Sequence, residues 1–219
     1  MGDWLKLTEE DIEQAQQTVR AAPVLTEALV IYADDLPASA PSSQLTSAGQ
    51  VLQITEEDLT VVPPQPITSP NLAQLEQLMF GLINQARAAH LPGWLKTVNL
   101  RWHTGLTAVA RGHSQDMQQR QYIDHTSPEG VTAAQRLGQY GITYLACGEN
   151  IGIVYGPNSH SQQGIYDVHH AFMKQPRSLT NHRGNLLNPV WTHVGIGVAY
   201  APSGVLLITQ NFMSAPGAK

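Results

Sequence analysis

The chain has 219 residues, of which 42% are hydrophobic and 13% charged, and its formal net charge at pH 7 is -5. A chain of this size can bury one full core and still carry an appendage. It has no run rich in lysine or arginine, which argues against a nucleic-acid-binding protein. Its apolar stretches are shorter than the roughly 18 to 20 residues of a membrane helix, so we expect no transmembrane segment.

Two further features bear on export and redox environment. The N-terminus reads Met1-Gly2-Asp3-Trp4 and lacks the basic start and apolar run of a secretory signal, so we expect no signal peptide in this chain. Cys147 is the one cysteine, which excludes an intramolecular disulfide.

Residues 1–33 read as an N-terminal arm with short helices. Thr8 can cap a helix that runs to Arg20, because an apolar stripe recurs there at helical spacing. A second apolar run, Val24 to Tyr32, fits neither the helical nor the strand period well, and we predict a helix. Residues 34–70 alternate proline with serine, threonine, alanine and glutamine, which predicts an extended linker.

From Asn71 onward the pattern becomes that of a folded domain, predicted to span residues 71–213 and to be followed by a tail, 214–219. Caps and apolar periodicity predict four helices, over residues 71–89, 103–119, 132–140 and 162–174. Short apolar runs predict strands over residues 151–155, 193–200 and 205–212, the last two joined as a hairpin. Helices around a small antiparallel sheet predict an α/β (α+β) fold, a three-layer α-β-α sandwich with an N-terminal extension.

Several short motifs occur in a fixed order along this domain. They are Asn84-Gln85-Ala86-Arg87 with Leu100-Arg101-Trp102, Asp124-His125-Thr126-Ser127-Pro128, Gly148-Glu149-Asn150-Ile151, and Asn181-His182-Arg183-Gly184-Asn185-Leu186-Leu187-Asn188-Pro189 with Thr192-His193-Val194-Gly195-Ile196-Gly197-Val198. In this order the motifs resemble the CAP superfamily of cysteine-rich secretory, antigen 5 and pathogenesis-related proteins, in its bacterial form with an SCP-like domain.

The resemblance implies a particular set of site residues. In the family, two histidines and a glutamate line a shallow cleft, and some members bind a divalent metal such as zinc through the histidines. Carried over, this implies His125 and His182 as metal ligands and Glu149 as the acidic residue. Gln175 stands nearest to a second glutamate of many eukaryotic members, but an amide cannot ionise, which weakens the case for a carboxylate pair in acid/base work.

The residues themselves leave two interpretations of this site open. Two neutral imidazoles with water suit an open zinc site, at which Glu149 would be the candidate catalytic residue that orients or deprotonates the bound water. Alternatively, these polar residues form a hydrogen-bonded network that holds loops over the sheet. Asn150 and Arg183 are predicted beside Gln175 as lining residues, with holding a turn or anchoring the loop as their simpler roles.

The remaining histidines and the cysteine are expected to be structural. We predict that His193 is part of the last strands and that His113 lies in the core. His169 and His170 are adjacent on a helix, so their side chains diverge by about 100° and cannot both face one site. Cys147 is expected to be inert, because nothing in the sequence indicates a lowered thiol pKa.

Three classes of function remain. The first is a binding or recognition module for a peptide, glycan or lipid, which the resemblance favours because several relatives bind lipids or sterols. The second is a metal-assisted hydrolase of peptide or phosphodiester bonds. The third is a structural or attachment subunit that contacts a protein partner, or a second copy of itself, through residues 1–70. The resemblance also implies an extracellular or surface location.

Overall fold

The computed structural model describes residues 71–95, 97–155, 159–176, 178, 181–201 and 204–217, together with the backbone of residues 28–32. The predicted helix from Thr8 to Arg20 and the linker 34–70 lie outside the described residues. Within them, no helix combines the length and apolar character needed to cross a bilayer.

In the part of the chain that the structure describes, each of five helices follows a residue whose side chain caps its first turn. They are α1 (Leu72–His90), α2 (Thr104–Arg120), α3 (Ala133–Gln139), α4 (Gln162–Lys174) and α5 (His182–Leu187), preceded by Asn71, His103, Thr132, Ser161 and Asn181. Each of these caps accepts a hydrogen bond from a backbone N–H of the first turn, which would otherwise lack a partner. The four predicted helices are confirmed to within two residues, whereas α5 was not predicted.

The strands are β1 (Ala28–Tyr32), β2 (Arg101–Trp102), β3 (Ala146–Tyr155), β4 (His193–Ala201) and β5 (Val205–Ser214), in the sheet order β1-β3-β5-β4-β2. The central strands β3, β5 and β4 pair antiparallel, and the outer strands β1 and β2 pair in parallel with β3 and β4. Helix α2 packs on one face of this sheet, with α3 beside it, while α1, α4 and α5 occupy the other. The predicted three-layer α-β-α sandwich is therefore confirmed.

Two predictions of local structure were wrong. Residues 28–32 form strand β1 rather than part of a helix, and Ala28 pairs with Ile151 at the start of its ladder. The run from Ala28 to Tyr32 is rich in β-branched and aromatic residues, which fit a sheet once a neighbouring strand is present. Strand β3 also begins at Ala146 rather than at Ile151, because polar residues that interrupt the apolar pattern are themselves buried in the sheet.

Strand β4 is in direct contact with the backbone of α2 through two glycines. A Cβ atom built on Gly195 would lie 2.2 Å from the nitrogen of Thr107, and one built on Gly197 would lie 2.0 Å from the nitrogen of Arg111. Glycine is required at such positions because any side chain would occupy the space of the helix backbone. These two contacts allow the backbone of α2 to lie directly on the sheet.

Candidate functional site

The position of Glu149 in β3 determines which layer its side chain faces. It pairs with Asn211, which in turn pairs with Gly195, and Gly195 is the residue in contact with α2. Successive side chains of a strand point to opposite faces, so Glu149 faces the layer of α2 and α3. The next residue, Asn150, faces the layer of α1, α4 and α5.

The carboxylate of Glu149 is completely buried and hydrogen-bonded at both oxygens. Arg136 Nη2 lies 3.0 Å from Oε1 and 2.8 Å from Oε2, so the guanidinium contacts both oxygens. His125 Nδ1 donates to Oε1 at 2.9 Å, and His113 Nε2 lies 3.9 Å from the same oxygen. One arginine and two histidines therefore surround a single buried acid.

These partners set the ionisation of Glu149. Burial alone would raise the pKa of the carboxyl, but the hydrogen bond from His125 and the charge of Arg136 lower it, and the net pKa lies below its ordinary value. The side chain is therefore ionised at neutral pH. An ionised carboxylate whose oxygens are both engaged, and which water does not reach, is poorly placed to remove a proton from a substrate.

The loop that carries His125 is fixed by the start of α3. Thr132 and Gln135 form a reciprocal capping box there, which sets the direction of the helix and so the position of Arg136. Arg136 Nη1 donates to the backbone oxygens of His125 and Val131, each at 3.0 Å. The same guanidinium thus contacts the loop with one nitrogen and Glu149 with the other.

His182, the first residue of α5, lies in a different environment. Its ring stacks in parallel on Phe172 of α4, with the ring centroids 4.5 Å apart. Its backbone N–H donates to the Gln175 side-chain oxygen at 2.9 Å, and its Nδ1 lies 3.0 Å from the nitrogen and 3.2 Å from the oxygen of the same amide. Gln175 therefore orients the imidazole of His182.

A second buried network links His182 to the sheet. Asn150 Nδ2 donates to the backbone oxygen of His182 at 3.2 Å and to the side-chain oxygen of Gln210 at 3.0 Å. Asn185 Nδ2 donates to the backbone oxygen of Glu149 and to Asn150 Oδ1. Arg183 Nη1 donates to the backbone oxygen of Gln175 at 3.2 Å, so the predicted anchoring role of this arginine matches its contact.

The structure thus brings the predicted residues together as two groups on neighbouring positions of β3. His125 contacts Glu149, while His182 contacts Gln175 and Asn150. His125 and His182 are 4% and 3% exposed, so both rings are largely covered. A shared cleft for the two imidazoles stays a prediction. Among the described residues, no group of three or more histidine, cysteine or acidic side chains is arranged to hold a metal ion.

Two members of the cluster were missed from the sequence. His113 was predicted as a core residue and is indeed buried, but its Nε2 also donates to the backbone oxygen of Asp124 at 2.9 Å and faces Glu149. Arg136 was not singled out at all, because an arginine on a short helix is normally exposed. The only signal was its place in the first turn after Thr132, close in sequence to His125.

The other candidate residues are not part of this cluster. His193 begins β4 and contacts Thr192 and the ring of His103. His169 and His170 both line a separate groove of about 440 Å³ between α1 and α4, together with His90, so the expectation that the two cannot face one site was wrong. Burial raises the pKa of the Cys147 thiol, which agrees with the expectation that this cysteine is not a nucleophile.

Known proteins with similar sequences are found among bacteria. The chain is 36% identical over 108 residues to the uncharacterized protein YkwD of Bacillus subtilis (strain 168), covering 49% of this chain and 37% of that protein. It is 30% identical over 138 residues to the uncharacterized membrane protein YlbC of the same strain, covering 63% of this chain and 34% of that protein. The chain therefore spans about a third of the length of these two relatives.

Solved structures support the fold, and a family model identifies the family. An extracellular protein containing an SCP domain from Bacillus anthracis str. Ames matches with a TM-score of 0.50 and 27% identity, over 74% of this chain and 45% of that chain. An outer surface protein from Borrelia burgdorferi matches in fold, with a TM-score of 0.53 and 18% identity, over 65% of this chain and 93% of that one. The family model of the cysteine-rich secretory protein family, CAP, matches residues 80–212, which is more than half of the chain. The arrangement of α-β-α layers, the ordered motifs and this match agree, and the chain belongs to the CAP family.

Proposed function

We propose that this domain is a non-catalytic recognition module in which His125 and His182 hold a divalent metal ion. The observation that carries the proposal is that each imidazole is held at Nδ1 by a neighbouring side chain, Glu149 for one and Gln175 for the other. Histidines that bind metals characteristically use one ring nitrogen for the ion and give the other to a carboxylate, carbonyl or similar group, which fixes the ring. This assigns coordination to Nε2 of both histidines.

We place the proposed ion at the edge of the sheet beside the first half of β3, where the imidazoles from the two layers would approach each other. Within the described residues, β1 pairs with residues 151–155 of β3, and no described strand pairs with the first half of β3 on that side. Glu149 and Asn150, which contact the two histidines, lie in that half. With two protein ligands, a bound zinc ion would leave positions for water or for an oxygen atom of a ligand.

The burial and the hydrogen bonds of the Glu149 carboxylate favour a recognition function over hydrolysis. Its carboxylate forms a two-oxygen contact with Arg136 and accepts from His125, and it is 0% exposed. A general base must come within hydrogen-bond reach of the proton that it removes, directly or through one water. Glu149 instead accepts from the ring of His125 and from Arg136, which holds the loop, and this is the role of a residue that supports a metal ligand.

The ligand class and location complete the proposal. A peptide, glycan or lipid would reach the metal through its oxygen atoms, or bind in the neighbouring groove between α1 and α4. We also propose an extracellular or surface location, because one similar structure is described as an extracellular protein and another as an outer surface protein.

Zinc titration tests the proposed site. We expect the wild-type chain to bind one zinc ion, and a variant with both His125→Ala and His182→Ala to bind at least about 100-fold more weakly, because both protein ligands are lost. Isothermal titration calorimetry measures this directly. The control is His170→Ala, which removes an exposed histidine outside the cluster and should leave the isotherm unchanged. Equal zinc affinity in the double variant and the wild type would refute the site.

The same site predicts a pH dependence. Zinc must compete with protons for the imidazoles, and a histidine without perturbation has a pKa of about 6.5. Protonation removes the lone pair that binds the metal, so affinity should fall steeply from about pH 7.5 to about pH 5.5. Calorimetric titrations across this range measure the effect. A zinc isotherm that does not change with pH would show that the ion binds to carboxylates or elsewhere.

A further inference from the structure

We infer that Arg136 is a positioning residue for His125, a role that rests on the proposed metal site but is defined by contacts of its own. Arg136 Nη2 lies within 3.0 Å of both oxygens of Glu149, and Nη1 donates to the backbone oxygens of His125 and Val131 at 3.0 Å each. The guanidinium therefore holds both the side chain that accepts from the imidazole and the backbone that carries it.

This double contact fixes the imidazole more closely than either half alone would. Glu149 accepts from His125 Nδ1 at 2.9 Å, so its position decides which ring nitrogen carries the proton and how the ring is turned. The hydrogen bond from Arg136 to the backbone oxygen of His125 fixes the position of the backbone from which the imidazole extends. The planar fork of arginine can make both contacts at once, whereas an ammonium group acts as one compact charge and cannot reproduce this geometry.

Arg136 differs from Arg120, a nearby arginine, in the burial of its side chain and in what it contacts. The side chain of Arg136 is 11% exposed and that of Glu149 is 0% exposed, so the contacts between them lie largely away from solvent. Arg120 provides a natural comparison, because it pairs with Asp116 and with Glu129 of the same loop, yet its side chain is 36% exposed. Both arginines pair with carboxylates, but of the two only Arg136 donates to the backbone of His125.

The experiment compares the full-length variants Arg136→Gln, Arg136→Lys and Arg120→Gln with the wild type. Zinc alone is titrated by calorimetry, and the tautomer of His125 is read from imidazole ¹⁵N chemical shifts in the metal-free protein, with the signal assigned by its loss in His125→Ala. We expect Arg136→Gln to weaken zinc binding by about 10- to 100-fold, the usual effect of losing an outer partner of a ligating histidine. We also expect it to replace the single Nδ1–H tautomer with a mixture.

The other variants separate positioning from general stability. Arg136→Lys should restore part of the affinity and of the tautomer preference, and Arg120→Gln should match the wild type in both readouts. If Arg136→Gln does not fold, Arg136→Lys decides, with reduced zinc affinity and a mixed tautomer as the expected result. Wild-type behaviour of the folded Arg136 variants in both measurements would overturn the role. If the wild type binds no zinc, the proposed metal site fails, and the tautomer measurement alone decides the role of Arg136.

Discussion

Replacing Arg87 with methionine is expected to lower the free energy of unfolding by about 3 to 5 kcal/mol, an effect comparable to breaking a buried ion pair. Arg87 is 0% exposed and donates to four backbone oxygens, those of Thr97, Val98, Leu186 and Asn188, at 2.7 to 2.9 Å. A methionine fills a similar volume but donates nothing, so each of these oxygens would lose the arginine as a hydrogen-bond donor in the interior.

The position of these oxygens explains why the expected effect is large. Leu186 lies in the last turn of α5 and Asn188 caps that helix, where carbonyl groups have no partner within the helix and where the helix dipole favours a cation. Burial lowers the pKa of Arg87 to about 9, which still leaves it protonated at pH 7. The arginine thus joins α1 to the end of the helix that begins with His182.

Urea unfolding of Arg87→Met beside Arg120→Met measures this difference. Arg120 forms ion pairs at the surface, with its side chain 36% exposed, and solvent screens such pairs so that they contribute little to stability. We therefore expect the urea concentration at the midpoint of unfolding to fall sharply for Arg87→Met and to change little for Arg120→Met. A loss of less than about 1 kcal/mol for that variant would mean that water or a rearranged loop replaces the arginine.

The second large effect is expected at Gly197. Alanine at this position would place its Cβ 2.0 Å from the nitrogen of Arg111 and 2.2 Å from the carbonyl carbon of Ala110, both in the backbone of α2. Real atoms do not approach so closely, so α2 must move away from β4. Because overpacking typically costs about 1 to 3 kcal/mol and backbone cannot rotate away as a side chain can, we expect about 3 kcal/mol or more.

Gly81→Ala is the matched control for Gly197→Ala. Gly81 lies within α1, and a Cβ built on it meets no atom within 4 Å. Alanine there should be neutral or stabilise the protein by about 0.5 to 1 kcal/mol, because it reduces the freedom of the unfolded chain and favours the helix. Melting temperatures and urea midpoints of the two variants should therefore change in opposite directions. Equal behaviour would contradict the close packing of α2 on β4.

The main helices and the hairpin were predictable because they depend on local chemistry. Asn71, Thr132 and the stop before Pro176 mark helix ends by hydrogen bonding and by the restricted backbone of the residue before proline, and these signals act over a few residues. The turn between β4 and β5 is likewise local. These helices and strands together predicted the three-layer α-β-α sandwich, and the order of the motifs indicated the CAP family.

Strand β1 and the first half of β3 were not predictable in the same way. The run from Ala28 to Tyr32 has no clear period of its own, and its strand form comes from pairing with residues 151–155, more than a hundred positions later. Glu149 and Asn150 interrupt the apolar pattern of β3, although both are completely buried. Polar residues in a strand core are recognisable only once their hydrogen-bond partners are known.

The amino-acid pattern alone indicated the four longer helices, the β4–β5 hairpin, the family and the candidate residues His125, Glu149 and His182. What these residues contact depends on how the layers pack. The tertiary structure buried Glu149 between Arg136 and His125, and it placed Gln175 on His182. The physical reason is that the charge state and hydrogen-bonding capacity of a buried group depend on partners brought together by packing, and sequence spacing does not specify them.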